Sequence, residues 1–144
     1  MRSIGTLLDS KPDGNAIISV RPEQTVFEAL ELMKEHDIGC VMVMENDRLE
    51  GILSERDYAR KMILLGKASS NTNVSSIMTR DVICTTRSNT VDDCLALMNK
   101  HGFRHIPVKQ EEQVLGMVSV GDLVRTIIRE QQETIDHLQQ YIAS

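Results

Sequence analysis

Gly51-Ile52-Leu53-Ser54-Glu55-Arg56-Asp57 returns 65 residues later as Gly116-Met117-Val118-Ser119-Val120-Gly121-Asp122. Working outward from this pair, residues 20–63 lie on residues 85–128 without a gap, and 12 of the 44 positions are identical. The identities include Thr25/Thr90, Val26/Val91, Leu30/Leu95, Met33/Met98, His36/His101, Val43/Val108 and Arg60/Arg125. Two copies at so long a period do not make a solenoid, which stacks three or more short units. They predict two similar halves packed face to face about a pseudo-twofold axis. The polar run from Gly66 to Asn73 is the natural linker.

Each half reads the same way. Residues 16–20 form a short apolar run, hence a strand. Thr25 followed by Glu28 is a capping box: the threonine accepts from the backbone N–H three residues on, and the glutamate reaches back. Val26, Ala29, Leu30 and Met33 then recur at helical spacing as one buried face, which Val91, Cys94, Leu95 and Met98 repeat. Gly102 suits the position after a helix end, where φ is often positive. Residues 40–44 and 49–53 flank the polar turn Glu45-Asn46-Asp47-Arg48 and predict a hairpin, matched by residues 105–108 and 114–118. A second helix is expected after Ser54 and again after Ser119. The unit is β-α-β-β-α, twice, an α/β (α+β) fold. Its expected divisions are residues 4–64, a linker at 65–74, residues 75–129 and a helical extension at 130–144.

Length and composition narrow the function. The 144 residues are 41% hydrophobic and 26% charged, ordinary globular usage. A compact chain of this size buries roughly 68–70% of its unfolded surface, so no disulfide staple is needed. No run approaches the ~18 apolar residues of a membrane helix, and the first residues lack a signal-peptide apolar core. Cys40, Cys84 and Cys94 are odd in number with no CxxC pair, which argues against a disulfide framework or a zinc site and fits a reducing cytoplasm. The net charge is −5 and aromatic residues are 3%. Nucleic-acid binders usually carry a basic face and stacking platforms, so neither DNA nor RNA is an expected partner.

Each copy of the opening motif sets a serine and an aspartate where a strand turns into a helix. One reading is local: the serine caps the helix, and the acid is favoured by the dipole. The other uses the same geometry for a ligand. A helix N-terminus attracts anions, a serine hydroxyl can donate to phosphate, and an aspartate can accept from ribose hydroxyls. The glycine would let a ligand approach the backbone.

The tandem units, their Gly-h-h-Ser-x-x-Asp endings (h, apolar) and the strand Phe103-Arg104-His105-Ile106-Pro107-Val108 resemble a CBS-domain pair. The resemblance runs from about Ile4 to Arg129 and is greatest to small stand-alone bacterial CBS-pair proteins. It implies two clefts between the repeats that bind adenosine-containing ligands such as AMP, ADP, ATP, NAD(H) or S-adenosylmethionine. It also implies a regulatory sensor with no catalytic cofactor. Carried over, the first cleft centres on Ser54 and Asp57 with Cys40, Ile52, Thr79, Ile83 and Phe103. The second centres on Ser119 and Asp122 with Ile18, Ile38, Met117 and His105. Gly39 and Arg104 are placed to serve either. Arg56, Arg104 and His105 are expected to face phosphates, a task that suits arginine's planar fork. Glu55-Arg56 becomes Val120-Gly121 in the second half, so the clefts should differ.

The remaining candidates read blandly. His36 and His101 sit at helix ends, where a cation complements the dipole. His137 lies on a polar face. No HExxH or Cys/His cluster points to a metal, and Gly66-Lys67-Ala68-Ser69 lacks the upstream glycine of a phosphate loop. No nucleophile–base pair suggests an enzyme. In the tail, Ile128, Ile135, Leu138 and Ile142 are spaced seven, three and four apart, a coiled-coil-like seam interrupted by Gln131. It packs either across a homodimer or back onto its own repeat. With no effector domain in the sequence, the expected output is an unknown protein partner or buffering of the ligand. The rival reading is an interaction protein that acts through its dimer surface and C-terminal helix without a nucleotide.

Overall fold

A computed structural model describes residues 2–11 and 16–143. In chain order the elements are α1 (Ile4–Asp9), β1 (Ser19–Val20), α2 (Val26–His36), β2 (Cys40–Glu45), β3 (Arg48–Ser54), α3 (Glu55–Asp57), α4 (Val91–His101), β4 (His105–Gln110), β5 (Gln113–Ser119) and α5 (Val120–Ala143). After α3 the chain continues in wider i→i+5 turns from Tyr58 to Ile63. The mixed α/β repeat predicted from the sequence is present.

The two hairpins superimpose by register. Cys40 pairs with Ser54 and Val43 with Gly51; His105 pairs with Ser119 and Val108 with Gly116. Both hairpins carry an irregularity at the same repeat position, after Val43 and after Val108. The opening strand of each unit is weaker than its apolar run suggests. β1 is only two residues long, parallel to β2, so the expected strand at 16–20 shortens to its last two positions. In the second unit it shrinks to a single parallel bridge from Thr85 to Val108.

The helix caps obey local chemistry. Thr25 Oγ1 accepts from the Glu28 N–H at 3.1 Å, but the Glu28 carboxylate takes the Gln24 side-chain amide instead of returning to Thr25. Only half of the expected box therefore forms there. In α4 the shorter Asp93 carboxylate does reach the Thr90 N–H, at 2.9 Å, and that box is complete. α4 ends on Gly102 at φ 77°. Its repeat mate Asp37 ends α2 at φ 53°.

Two cores form, one per unit. The first gathers Val26, Ala29, Met33, Val41, Val43 and Leu53; the second gathers Val91, Cys94, Met98, Ile106, Val108 and Leu123. Each unit also borrows a segment from elsewhere in the chain. Ile4, Leu7 and Leu8 of α1 are buried in the second core, whereas Val74, Ile77 and Met78 are buried in the first. Backbone bonds fix both loans: Ile4 N–H to Asn89 and Val91 N–H to Arg2, Val26 N–H to Thr72 and Val74 N–H to Gln24. The residues grouped with the first unit by sequence position from Ile4 onward thus begin inside the second. Repeat similarity stops short of α1, and its apolar face fits whichever core lies nearest in space.

The repeated glycines serve this packing, and Gly116 also lines the second of two cavities between the units. A Cβ on Gly51 would stand 2.6 Å from the Thr79 carbonyl oxygen, and one on Gly116 2.8 Å from Leu8 Cδ1. In both units the borrowed segment crosses the strand at its glycine.

Candidate functional site

Two cavities open between the units. The first, about 710 Å³, is lined by Gly39, Ile52, Ser54, Glu55, Arg56, Asp57, Thr79, Asp81, Val82, Ile83, His101, Phe103, Arg104 and His105. The second, about 490 Å³, is lined by Leu8, Lys11, Ala16, Ile18, His36, Asp37, Ile38, Gly39, Cys40, Met42, His105, Gly116, Met117, Ser119, Asp122 and Arg125. Both volumes fall in the range of small-molecule sites.

The strand-to-helix joints form one wall of each cavity. Ser54 Oγ accepts from the Asp57 N–H at 3.0 Å, and Asp57 Oδ2 accepts from the Ser54 N–H at 3.0 Å. Ser119 and Asp122 repeat both bonds at 3.1 and 2.8 Å. The Glu55 and Val120 N–H groups donate to the Gly39 and Arg104 carbonyls. The helix-start N–H groups of Glu55, Asp57, Val120 and Asp122 are therefore taken by the protein itself. Outside the cap, Asp57 Oδ1 accepts from Thr79 Oγ1 at 3.0 Å and pairs with Lys61 Nζ at 3.1 Å. Asp122 pairs with Lys11 Nζ at 3.1 Å and with Arg125 Nη2 at 2.7 Å.

The electrostatics follow from these contacts. Burial pushes the Asp122 carboxyl up, but the Ser119 N–H and the Lys11 ammonium outweigh it and hold the group below the usual carboxylate value. Burial pushes His105 below its ordinary value. The Asp122 charge opposes that shift, and the charges of Lys11 and Arg104 add to it. The Cys40 thiol is pushed up to about 12 by burial and then by the Asp57 charge, so it is a packing residue and not a nucleophile.

Most residues expected at the first cleft line it: Ser54, Arg56, Asp57, Ile52, Thr79, Ile83 and Phe103. Cys40 does not. It lines the second cavity together with Ile38 and Met42, because the start of β2 forms a wall of that cavity. Ile18, Ile38, Met117, Ser119 and Asp122 line the second cavity as expected, and His105 and Gly39 line both. Arg104 lines only the first. Arg56 lines the first cavity, but its guanidinium donates to the Gly102 carbonyl at the end of α4. His36 and His101, expected only as helix caps, line the second and first cavities, and the His101 ring stacks on Phe103 with centroids 5.7 Å apart.

Several lining residues were not anticipated: Glu55, Asp81 and Val82 in the first cavity, Lys11, Asp37 and Arg125 in the second. Arg125 carried a signal, since it follows Asp122 by three residues on one helix face. Lys11 carried none, since its place depends on α1 crossing to the other unit. Among the described residues no group of three or more His, Cys, Asp or Glu side chains is placed to hold a metal ion. No described helix is long and apolar enough to cross a membrane.

Comparison with known proteins agrees with this geometry. The family model for the CBS domain matches residues 15–64 and 74–129. The chain is 38% identical over 125 residues to the mitochondrial CBS domain-containing protein CBSX3 of Arabidopsis thaliana, covering 83% of this chain and 61% of that protein. It is 33% identical to the CBS domain-containing protein YhcV of Bacillus subtilis, covering 74% of this chain and 76% of that one. A putative signal-transduction protein with CBS domains from Burkholderia ambifaria superposes with a TM-score of 0.87 at 40% identity, covering 90% of this chain and 96% of its own. The CBS domain pair of protein MJ0100, solved with 5′-methylthioadenosine and S-adenosyl-L-methionine, gives a TM-score of 0.78 at 25% identity, covering 90% of this chain and 98% of its own. Two matched domains whose hairpins share one register, each giving walls to both cavities, make this chain a member of the CBS domain family, as a tandem pair.

Proposed function

We propose that this CBS pair is a non-catalytic sensor that binds an adenosine-containing ligand, AMP, ADP, ATP or NAD(H), in one or both clefts. The observation that carries the reading is the duplicated joint: Ser54–Asp57 and Ser119–Asp122 each face a cavity between the units. In the first cleft Ile52, Val82, Ile83 and Phe103 flank the base, Asp57 accepts from the ribose hydroxyls, and Arg104 meets phosphate. In the second, Ile18, Ile38 and Met117 flank the base and Asp122 accepts from the ribose. The adenosine ligands in the MJ0100 pair support the same class here.

Signalling follows from linkage. A ligand that prefers one arrangement of the two units shifts the population toward it, and a protein partner reads the result. The exposed apolar stripe of α5 supports a homodimer, and three unpaired cysteines support a reducing, cytoplasmic setting. One observation favours the rival reading of a ligand-independent interaction protein: both aspartates are already satisfied as helix caps.

A thermal-shift panel with AMP, ADP, ATP, NAD, NADH and S-adenosylmethionine decides between them. A ligand at ~100 times its dissociation constant adds about 2.7 kcal/mol. At roughly 2–4 °C per kcal/mol for a chain of this size, a binder raises the midpoint by several degrees. A flat panel rejects the adenosine reading.

A further inference from the structure

The clefts differ in what already sits on the aspartate. In the first, Thr79 covers both polar groups: its N–H donates to the Ile52 carbonyl at 2.8 Å and its hydroxyl to Asp57 at 3.0 Å. In the second, with Arg125 on the outer aspartate oxygen, Lys11 covers the corresponding carbonyl and the oxygen on the cap side. Its ammonium donates to the Met117 carbonyl at 2.8 Å and to Asp122 Oδ2 at 3.1 Å. Ile52 and Met117 are repeat mates, as are Asp57 and Asp122. The two occupants are not chemically equal. A hydroxyl can turn and accept, so Thr79 can stay beside a ribose. An ammonium only donates and keeps its charge. Lys61 also pairs with Asp57, but it does not line the first cavity, whereas Lys11 and Arg125 both line the second.

We propose that Lys11 sets the charge class of ligand preferred by the second cleft, favouring phosphate-bearing adenosine ligands over adenosine itself. The inference rests on the adenosine reading above and specifies it for one site. Asp122 Oδ2 already accepts from the Ser119 N–H and Lys11, and Oδ1 from Arg125. A ribose that gives it two hydroxyls therefore takes a site from one of the two cations. Lys11, with a side chain only 23% exposed against 66% for Arg125, has the less solvent to fall back on. A phosphate gives the released ammonium a new charge-assisted partner, and a neutral nucleoside leaves it without one.

The second cleft can be watched alone. Met42 and Met117 line it, and none of the described methionines lines the first. Titration of ¹³C-methyl-methionine protein with AMP and with adenosine, with Met117→Leu to assign the signal, reads that cleft. The expected result is a preference for AMP of about tenfold or more in the unaltered protein. Lys11→Met should narrow it from both sides, with adenosine binding more tightly because its competitor is gone and AMP more weakly. Lys11→Arg, which keeps the charge, should restore the preference and controls for any loss of folding. AMP binding at Met117 with the same preference in Lys11→Met overturns the proposal alone. Adenosine binding there as tightly as AMP in the unaltered protein also overturns it. Failure of both ligands at Met117 overturns it, and a flat thermal-shift panel beside that failure overturns the function it rests on as well.

Discussion

Asp57 accepts four donors: the Ser54 N–H, the Ser54 hydroxyl, the Thr79 hydroxyl and the Lys61 ammonium. A carboxylate offers about four lone-pair sites, so a ribose must replace a contact and cannot simply add one. Replacement of Asp57 by Asn should therefore weaken binding and also cost about 1–2 kcal/mol of stability, the scale of a lost cap and hydrogen bond. Denaturant unfolding of Asp57→Asn checks this, and an unchanged midpoint denies the cap its role. Protonation probes the second cleft. The His105 value is lowered from 6.5 by burial first, so the unfolded chain takes up a proton before the folded one does. Its contribution is complete above pH 6.5 and is lost as pH falls through the lower folded value. Asp122, lowered from 3.8, follows the same sign at more acid pH: its contribution is present above 3.8 and lost below. The melting midpoint should decline as pH is taken below 6.5, and His105→Asn should flatten that first limb while leaving the more acid one. An unaltered first limb in His105→Asn refutes the assignment.

At the scale of elements, most of the architecture was legible because its signals are local. The serine and threonine caps, the glycine after α4 and both hairpins depend on neighbours within a few residues, and the repeat shows each of them twice. The turns show where local chemistry is imperfect. Asn46 and Asp47 lie at φ 51° and 63°, a pair of left-handed residues that asparagine and aspartate tolerate. The second hairpin turns at Glu111 with φ 55°, a conformation that costs a residue of this type of order 1–3 kcal/mol. Glycine removes that strain but costs more chain entropy on folding, by roughly 0.5–1 kcal/mol. Glu111→Gly should therefore raise stability by about 1 kcal/mol. A lower melting temperature in this variant would falsify the strain argument. The first strands were over-read because an apolar run needs a partner edge to become a strand. Ladder pairing covers Ser19 and Val20 in one unit, with the Ile18 carbonyl accepting from the Met42 N–H, and Thr85 in the other.

The whole molecule holds what the sequence could not disclose. α1 packs into the second core and the 74–78 segment into the first, contacts that no periodicity within a repeat encodes. Lys11 reaches the second cleft, and Cys40 faces it, only through this assembly. The long C-terminal helix poses the matching question on the outside. α5 runs for 24 residues, about 36 Å at 1.5 Å per residue, and only Leu123 and Thr126 of it are buried. Ile128, Ile135, Leu138 and Ile142 remain 59%, 46%, 57% and 81% exposed. The stripe therefore does not fold back onto its own repeat, one of the two arrangements its spacing allowed. Four large apolar side chains on a seven-three-four seam match a second helix of the same kind, and the homodimer proposed above would supply one. Ile135→Glu combined with Leu138→Glu places charges in that seam and should convert a dimer to a monomer in analytical ultracentrifugation at micromolar concentration. Both substitutions lie outside the residues lining either cleft, so the nucleotide-induced thermal shift should survive. A double variant that remains dimeric moves the interface away from the helix. One that turns monomeric and also loses the nucleotide shift shows instead that assembly and ligand binding are a single equilibrium.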